Sequence, residues 1–294
     1  MSIPVTSLVP TCTEFEIPVK SSYGGDEAER IPARRWGDES SGCVSILVHG
    51  LGAHSGWFEP YAKSMAARGH RLYSFDLSGF GKSSHRNFKS FRQWQEDLIQ
   101  VFEHVRSEEG NKPLVLTGNS MGSILAVSTI DRLAHAPASL VLMSPGFGGY
   151  PDTFTLPYKV KAILTAFLNP TKVIELPYGV EEITACEEIR KQVKEDKLGK
   201  FAIPAFMGLE LLKLTNESIA KGKQLPSSLP IYMATAGKEL IVDNRLNEKF
   251  FTNLESEEKN WQKFEQSFHD LVFESSREEM VDGVDTWLRR VIGP

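Results

Sequence analysis

The chain has 294 residues, a formal net charge of −5, 41% hydrophobic and 24% charged residues. That composition suits one large α/β domain or two smaller globular ones, with room for a sizeable core. No lysine–arginine block recommends a nucleic-acid partner, no apolar run approaches the ~18 residues that span a bilayer, and the start lacks the pattern of a secretory leader.

In chain order, T-E-F-E-I-P-V-K alternates, Y-G-G-D is a turn signal and R-I-P-A-R-R-W returns, which predicts a β-hairpin over the first forty residues. Short apolar runs follow at 43–48, 71–75, 113–117, 139–143 and 231–235. Near-continuous runs of this kind suit a parallel sheet buried on both faces. Helical spacing lies between them, most clearly where Phe91, Trp94, Leu98, Val101, Phe102 and Val105 recur at three- and four-residue steps, and again from Met280 to Val291. Strand alternating with helix predicts a mostly parallel, doubly wound α/β sheet. After P-G-F-G-G-Y-P the rhythm breaks, and no strand is expected again until about Leu229. The expected organisation is a core over 1–145, a helical lid inserted over 146–228, and the rest of the core over 229–294.

At the end of P-L-V-L-T stands G-N-S-M-G, followed by S-I-L-A-V-S-T-I. A serine on a strand-to-helix turn is a nucleophile elbow, with glycines on either side because a side chain there would strike neighbouring backbone. The pattern alone is weak, but between a strand and a helix it makes Ser120 the candidate nucleophile. An earlier strand ends in L-V-H-G-L-G-A-H-S-G-W-F, a turn suited to lend a second amide to an oxyanion; the two donors would be Leu51 and Met121. His49 is expected to fix that turn by hydrogen bonding, because it precedes the elbow, and the base of such sites follows it. Gly50, His54, Trp57 and Phe147 are the candidate substrate contacts; for His54 and Trp57 a plain loop role stays open. D-L-S-G-F-G-K-S lacks the spacing of a phosphate loop and is expected to support the elbow.

His269, in S-F-H-D-L-V-F-E, lies after the last strand and before the terminal helix, the place of a catalytic base. A-G-K-E-L-I-V-D-N offers two acids. Glu239 lies in the turn after a strand; Asp243 directly precedes a helix, where aspartate is a favoured cap. Position favours Glu239 as the partner of His269.

These motifs together, H-G-L-G-A-H-S-G-W-F, F-D-L-S-G-F-G-K-S, G-N-S-M-G, G-K-E-L-I-V-D-N and F-H-D-L-V-F-E, resemble the successive motifs of the monoacylglycerol lipase / lysophospholipase family of α/β hydrolases, over about residues 15–292. The resemblance implies an α/β-hydrolase fold with a lid, nucleophile Ser120, and the acid at Glu239, if Ala236 takes the place of the family's glycine. The chain departs from the pattern at Asn119, where His or Gln is usual, at Ser78, where Arg is usual, and in having Glu for Asp. The resemblance implies a serine ester hydrolase acting on single-chain lipids, monoacylglycerol or lysophospholipid, with no metal or cofactor. Other hydrolases of this scaffold (short-chain esterases, thioesterases, acyltransferases, S33-type aminopeptidases) and a hydrolase-derived ligand receptor remain as alternatives. An aminopeptidase would need acids for the substrate amine. Glu181, Glu182, Glu187 and Glu188 could supply them, but read better as solvated helix faces. The apolar stretches 162–168 and 201–212 admit two readings: an acyl channel or surface for transient membrane contact, or helices packed on the sheet. The three scattered cysteines, Cys12, Cys43 and Cys186, suggest free thiols in a reducing cytoplasm.

Overall fold

A computed structural model describes residues 12–20, 29–86 and 88–293. The proposed Y-G-G-D turn lies outside the described residues. The strands on either side of it pair antiparallel as expected: β1 (Thr13–Val19) and β2 (Glu29–Trp36), with Thr13 opposite Arg35. The chain then runs through β3 (Cys43–Val48), α1 (Glu59–Ala67), β4 (His70–Phe75), α2 (Phe91–Glu109), β5 (Leu114–Asn119), α3 (Met121–Thr129) and β6 (Ser139–Met143). After an insertion it resumes with β9 (Ile231–Ala236), α8 (Asn244–Thr252), β10 (Lys259–Phe264) and α9 (Arg277–Ile292).

The eight strands form one sheet in the order β1-β2-β4-β3-β5-β6-β9-β10. It is parallel from β4 to β10, and β2 joins β4 antiparallel. Every residue of β4, β5, β6 and β9 is buried. The apolar runs are continuous because both faces are covered. Along β5, Leu114 and Leu116 pack into the core under α2 and α3, while Val115 joins the core on the other face with Tyr61, Met65, Val284 and Trp287. The helical stripe read from the sequence is the buried face of α2.

The insertion holds α4 (Leu156–Leu168), α5 (Val180–Ile183), α6 (Glu187–Glu195) and α7 (Ala205–Gly222). Contrary to the sequence-based expectation, it also holds two short strands, β7 (Val173–Glu175) and β8 (Ala202–Pro204), paired antiparallel. Three residues are too few to show alternation, so this ribbon had no period to read. Among the described residues no helix is long and apolar enough to cross a membrane.

Candidate active site

β5 hands the chain to α3 through Ser120, whose φ of 52° and ψ of −115° lie where non-glycine residues seldom go. The neighbours that hold this turn leave no room for side chains. A Cβ at Gly118 would stand 2.5 Å from the backbone of Gly122 and Ser123, and one at Gly122 would strike the Val48 carbonyl. Ser120 is further fixed at both backbone groups: its N–H donates to Met143 O (2.9 Å), and its carbonyl accepts from Gly146 N–H (3.2 Å). Met121 is the first residue of α3, so its amide has no acceptor within the helix.

The loop after β3 lies beside the elbow. A Cβ on Gly50 would approach Ser120 Cβ to 3.2 Å. His49 braces this loop: Nε2 accepts from Leu77 N–H (3.0 Å), so Nδ1 carries the proton and donates to Gly50 O (2.8 Å). Burial pushes the His49 imidazole down to about 4, so it stays neutral. The 76–83 turn supports the same loop, since Asp76 accepts from Ser55 N–H and Lys82 N–H, each at 2.8 Å. At Ser78 the hydroxyl donates to Asp97 (2.6 Å), whose other oxygen accepts from Arg86 (2.8 Å).

His269 Nδ1 lies 2.8 Å from Glu239 Oε2, with both side chains buried. Glu239 is itself held by Oε1, which accepts from Ile241 N–H (2.8 Å) and Val242 N–H (3.1 Å). Asp243 caps α8 instead, accepting from the Arg245 amide (3.0 Å) and guanidinium (2.8 and 2.9 Å). Burial would depress the His269 imidazole, but the facing Glu239 carboxylate and the nearby Asp270 more than offset it, and its pKa lies above the ordinary histidine value.

Two contacts bring the His269 loop to the elbow. Ser144 Oγ, on a residue with φ of 40° just after β6, donates to His269 O (2.7 Å). Asn119 Nδ2, next to Ser120, donates to Asp270 Oδ1, next to His269 (2.7 Å). Neither was read from the sequence.

Ser120, Leu51 and Met121 share the wall of a cavity of about 240 Å³. Ile124 and Gly146 lie beside them, and the insertion supplies Tyr158, Ile163, Ile174, Tyr178, Ile203, Leu209 and Leu212. Lys159 is the single charged residue of this lining among the described residues. A larger polar cleft of about 690 Å³, lined by Glu14, Arg34 and Lys82 among others, contains none of the candidate site residues.

The four proposed substrate contacts are not on the cavity wall. Gly50 lies against Ser120 Cβ, behind the lining. His54 Nε2 and Trp57 Nε1 both donate to Asp196 Oδ2, each at 2.7 Å. His54 Nδ1 accepts from Gly56 N–H, which leaves the proton on Nε2. These two side chains therefore clasp the insertion, as does Gly52, whose carbonyl accepts from Lys200 N–H (2.8 Å). Phe147 stacks on Phe250 at 3.7 Å and belongs to the core.

A half-buried serine in strained backbone between a strand and a helix, with a carboxylate-bound histidine on another loop of the same parallel sheet, is the architecture of the α/β hydrolases. Residues 39–276 match the family Hydrolase_4, described as "Serine aminopeptidase, S33", and the chain belongs to that family. It is similar to phospholipase YtpA of Bacillus subtilis (21% identity, covering 83% of this chain and 94% of that one). A monoacylglycerol lipase of Mycolicibacterium smegmatis is likewise 21% identical, over 91% of this chain and 95% of its own. A soluble variant of the Saccharomyces cerevisiae monoglyceride lipase, solved with a substrate analog, superposes with a TM-score of 0.81 at 17% identity, covering 98% of each chain. The chain spans 66% of the length of a Schizosaccharomyces pombe relative and 28% of an abhydrolase domain-containing protein of Dictyostelium discoideum.

Proposed function

We propose that the protein is a carboxylic-ester hydrolase that cleaves single-chain lipid esters through Ser120, His269 and Glu239. The observation that supports this best is Ser120 in strained backbone at the wall of an almost wholly apolar cavity. Ser120 Oγ attacks the ester carbonyl carbon as His269 Nε2 takes its proton, while Nδ1–H stays on Glu239. The oxygen that becomes negative accepts from the amides of Leu51 and Met121. His269 then protonates the departing alkoxide, which leaves the acyl group on Ser120. Water, deprotonated by His269, attacks that ester and releases the fatty acid.

The test is a hydrolysis panel on the purified protein. Monoacylglycerol and lysophosphatidylcholine of equal chain length run beside short p-nitrophenyl esters, and turnover of short esters alone would remove the lipid reading. In this proposal residues 146–228 form a cap whose inner face receives the acyl chain. Gly208 gives a sharp check, because a Cβ there would meet nothing within 4 Å although the residue is on the cavity wall, in the first turn of α7. With open space before that Cβ, leucine at this position is sterically tolerated and would project into the cavity. Gly208→Leu is expected to lower kcat/KM for long-chain esters about 10-fold relative to short ones. An unchanged chain-length ratio would place the acyl chain elsewhere.

The aminopeptidase reading finds less support. The described cavity lining holds no carboxylate to receive a substrate amine. Glu181 pairs with Lys194, and Glu182 accepts from Gly179 N–H.

The outer face of α4 supports a transient membrane contact. Leu156, Phe167 and Leu168 are 74, 75 and 84% exposed, and Val160 and Leu164 continue the apolar face. Phe167→Ser combined with Leu168→Ser is expected to slow hydrolysis of vesicle-borne lipid several-fold, in line with the ~25 cal/mol per Å² lost from apolar burial. A water-soluble ester should be turned over as before. Equal losses on both substrates would argue that the face is structural.

The pH profile follows from the sign of the His269 shift. The base must be neutral, and its partners favour the charged form. kcat/KM for a soluble ester is therefore expected to rise with pH through a midpoint above the ordinary histidine value of about 6.5. Glu239→Gln should move that midpoint down. A profile with its midpoint below the ordinary value would contradict the proposed base.

A further inference from the structure

We propose that the Asn119–Asp270 hydrogen bond is a positioning clamp that sets His269 in register with Ser120. The proposal rests on the reading of these two residues as base and nucleophile. The clamp joins the residue immediately before Ser120 to the residue immediately after His269, 151 positions apart, at 2.7 Å. Asn119 is 1% exposed and Asp270 5%. A carboxylate can only accept, so the partner must be a donor, and the asparagine amide is one. Its other atom, Oδ1, is buried with no protein donor among the described residues. An unpaired buried acceptor is costly, which indicates that this residue is held for the bond its NH₂ makes.

No lysine or arginine pairs with Asp270 among the described residues. The groups that face it are His269 and Glu239, Glu274 further along its own loop, and the Tyr178 phenol of the insertion. Burial raises its pKa, and the Asn119 donor and His269 work against that rise. Its backbone N–H donates to Ile183 O (2.9 Å) on α5, so Asp270 stands where the elbow, the histidine loop and the insertion meet.

His269 is thus fixed at three points. Glu239 holds the ring, Ser144 holds its carbonyl, and the clamp holds the next residue. Of these three, the clamp is the one made by β5 itself, the strand that leads into Ser120. A displacement of about 1 Å between reacting groups can cost about 100-fold in rate, so the clamp should act on kcat and leave KM alone.

The experiment measures kcat and KM on a short p-nitrophenyl ester, from mildly acidic to mildly alkaline pH, for Asn119→Asp, Asp270→Asn and the double variant. Asn119→Asp sets two carboxyls face to face, which bond only while they share a proton. Its kcat should fall about 10- to 100-fold as pH rises, where the parent protein gains rate, with KM within about twofold. Asp270→Asn leaves amide facing amide and should lose less. The double variant restores the amide–carboxylate bond in the opposite direction and should recover most of kcat. A rate for Asn119→Asp that follows the parent at every pH, or a folded double variant with no recovery, would overturn the clamp. Thermal melting establishes folding. If Asn119→Asp does not fold, Asp270→Leu breaks the bond without adding charge, and the same loss confined to kcat is expected. Unchanged kcat there would also overturn it. Fluorophosphonate labelling of the parent protein and of Ser120→Ala tests the nucleophile separately. Labelling that survives Ser120→Ala removes the underlying reading, whatever the clamp variants do.

Discussion

Ser120→Ala is expected to reduce ester hydrolysis by at least ~10³-fold and to abolish labelling by a fluorophosphonate. Removing a serine nucleophile elsewhere costs up to about 10⁶-fold, and the residue that remains reflects binding and oxyanion stabilisation without covalent chemistry. The loss should fall on kcat, because the apolar cavity proposed to hold the substrate is unchanged by removing one hydroxyl. Stability should hold or rise. The φ of 52° at Ser120 is strained for any side chain, and alanine brings no larger clash than serine. A variant that melts like the parent yet hydrolyses esters at the parent rate would exclude Ser120 as nucleophile.

Glu239→Gln should separate the two acids of the 239–243 turn. Glutamine has nearly the same shape and can still accept from Ile241 and Val242 N–H. It no longer carries the charge that favours the His269 imidazolium, and it can turn its NH₂ toward Nδ1 and enforce the wrong tautomer. The comparable change in a serine protease triad costs about 10⁴-fold in kcat, and a loss of about 10³- to 10⁴-fold is expected here. Asp243→Asn should leave kcat within about threefold, since asparagine caps a helix about as well as aspartate and the Arg245 guanidinium is exposed. The reverse outcome, with Asp243→Asn the damaging change, would mean that the 2.8 Å pairing of Glu239 with His269 is not the one used in catalysis.

The sheet was legible because its central strands are buried on both faces, which writes them as unbroken apolar runs. The insertion was legible as helix, but the chain breaks between α5 and α6 at Thr184–Cys186, and the β7–β8 ribbon depends on a pairing of Ile174 with Ile203 that no local pattern announces. Around Ser120 the flanking glycines were legible for the physical reason the structure gives: backbone where a Cβ would be. His54 and Trp57 follow the turn that carries Leu51, and so read from the sequence as candidate substrate contacts or as plain loop residues. Asp196 captures both, and an acid 142 and 139 residues away leaves no trace in the local sequence. The Asn119–Asp270 bond is hidden for the same reason. Asn119 was visible only as a departure from a pattern, and its meaning required Asp270 beside it.

The sheet order also fixes when this chemistry can first exist. The elbow is complete once β3, β5 and β6 lie side by side, all within the first half of the chain. Glu239 follows β9, and His269 follows β10, which among the described residues is the edge strand beside β9. On the proposed reading, the serine turn is therefore synthesised well before its base, and the site is complete only with β10 and the loop that follows it.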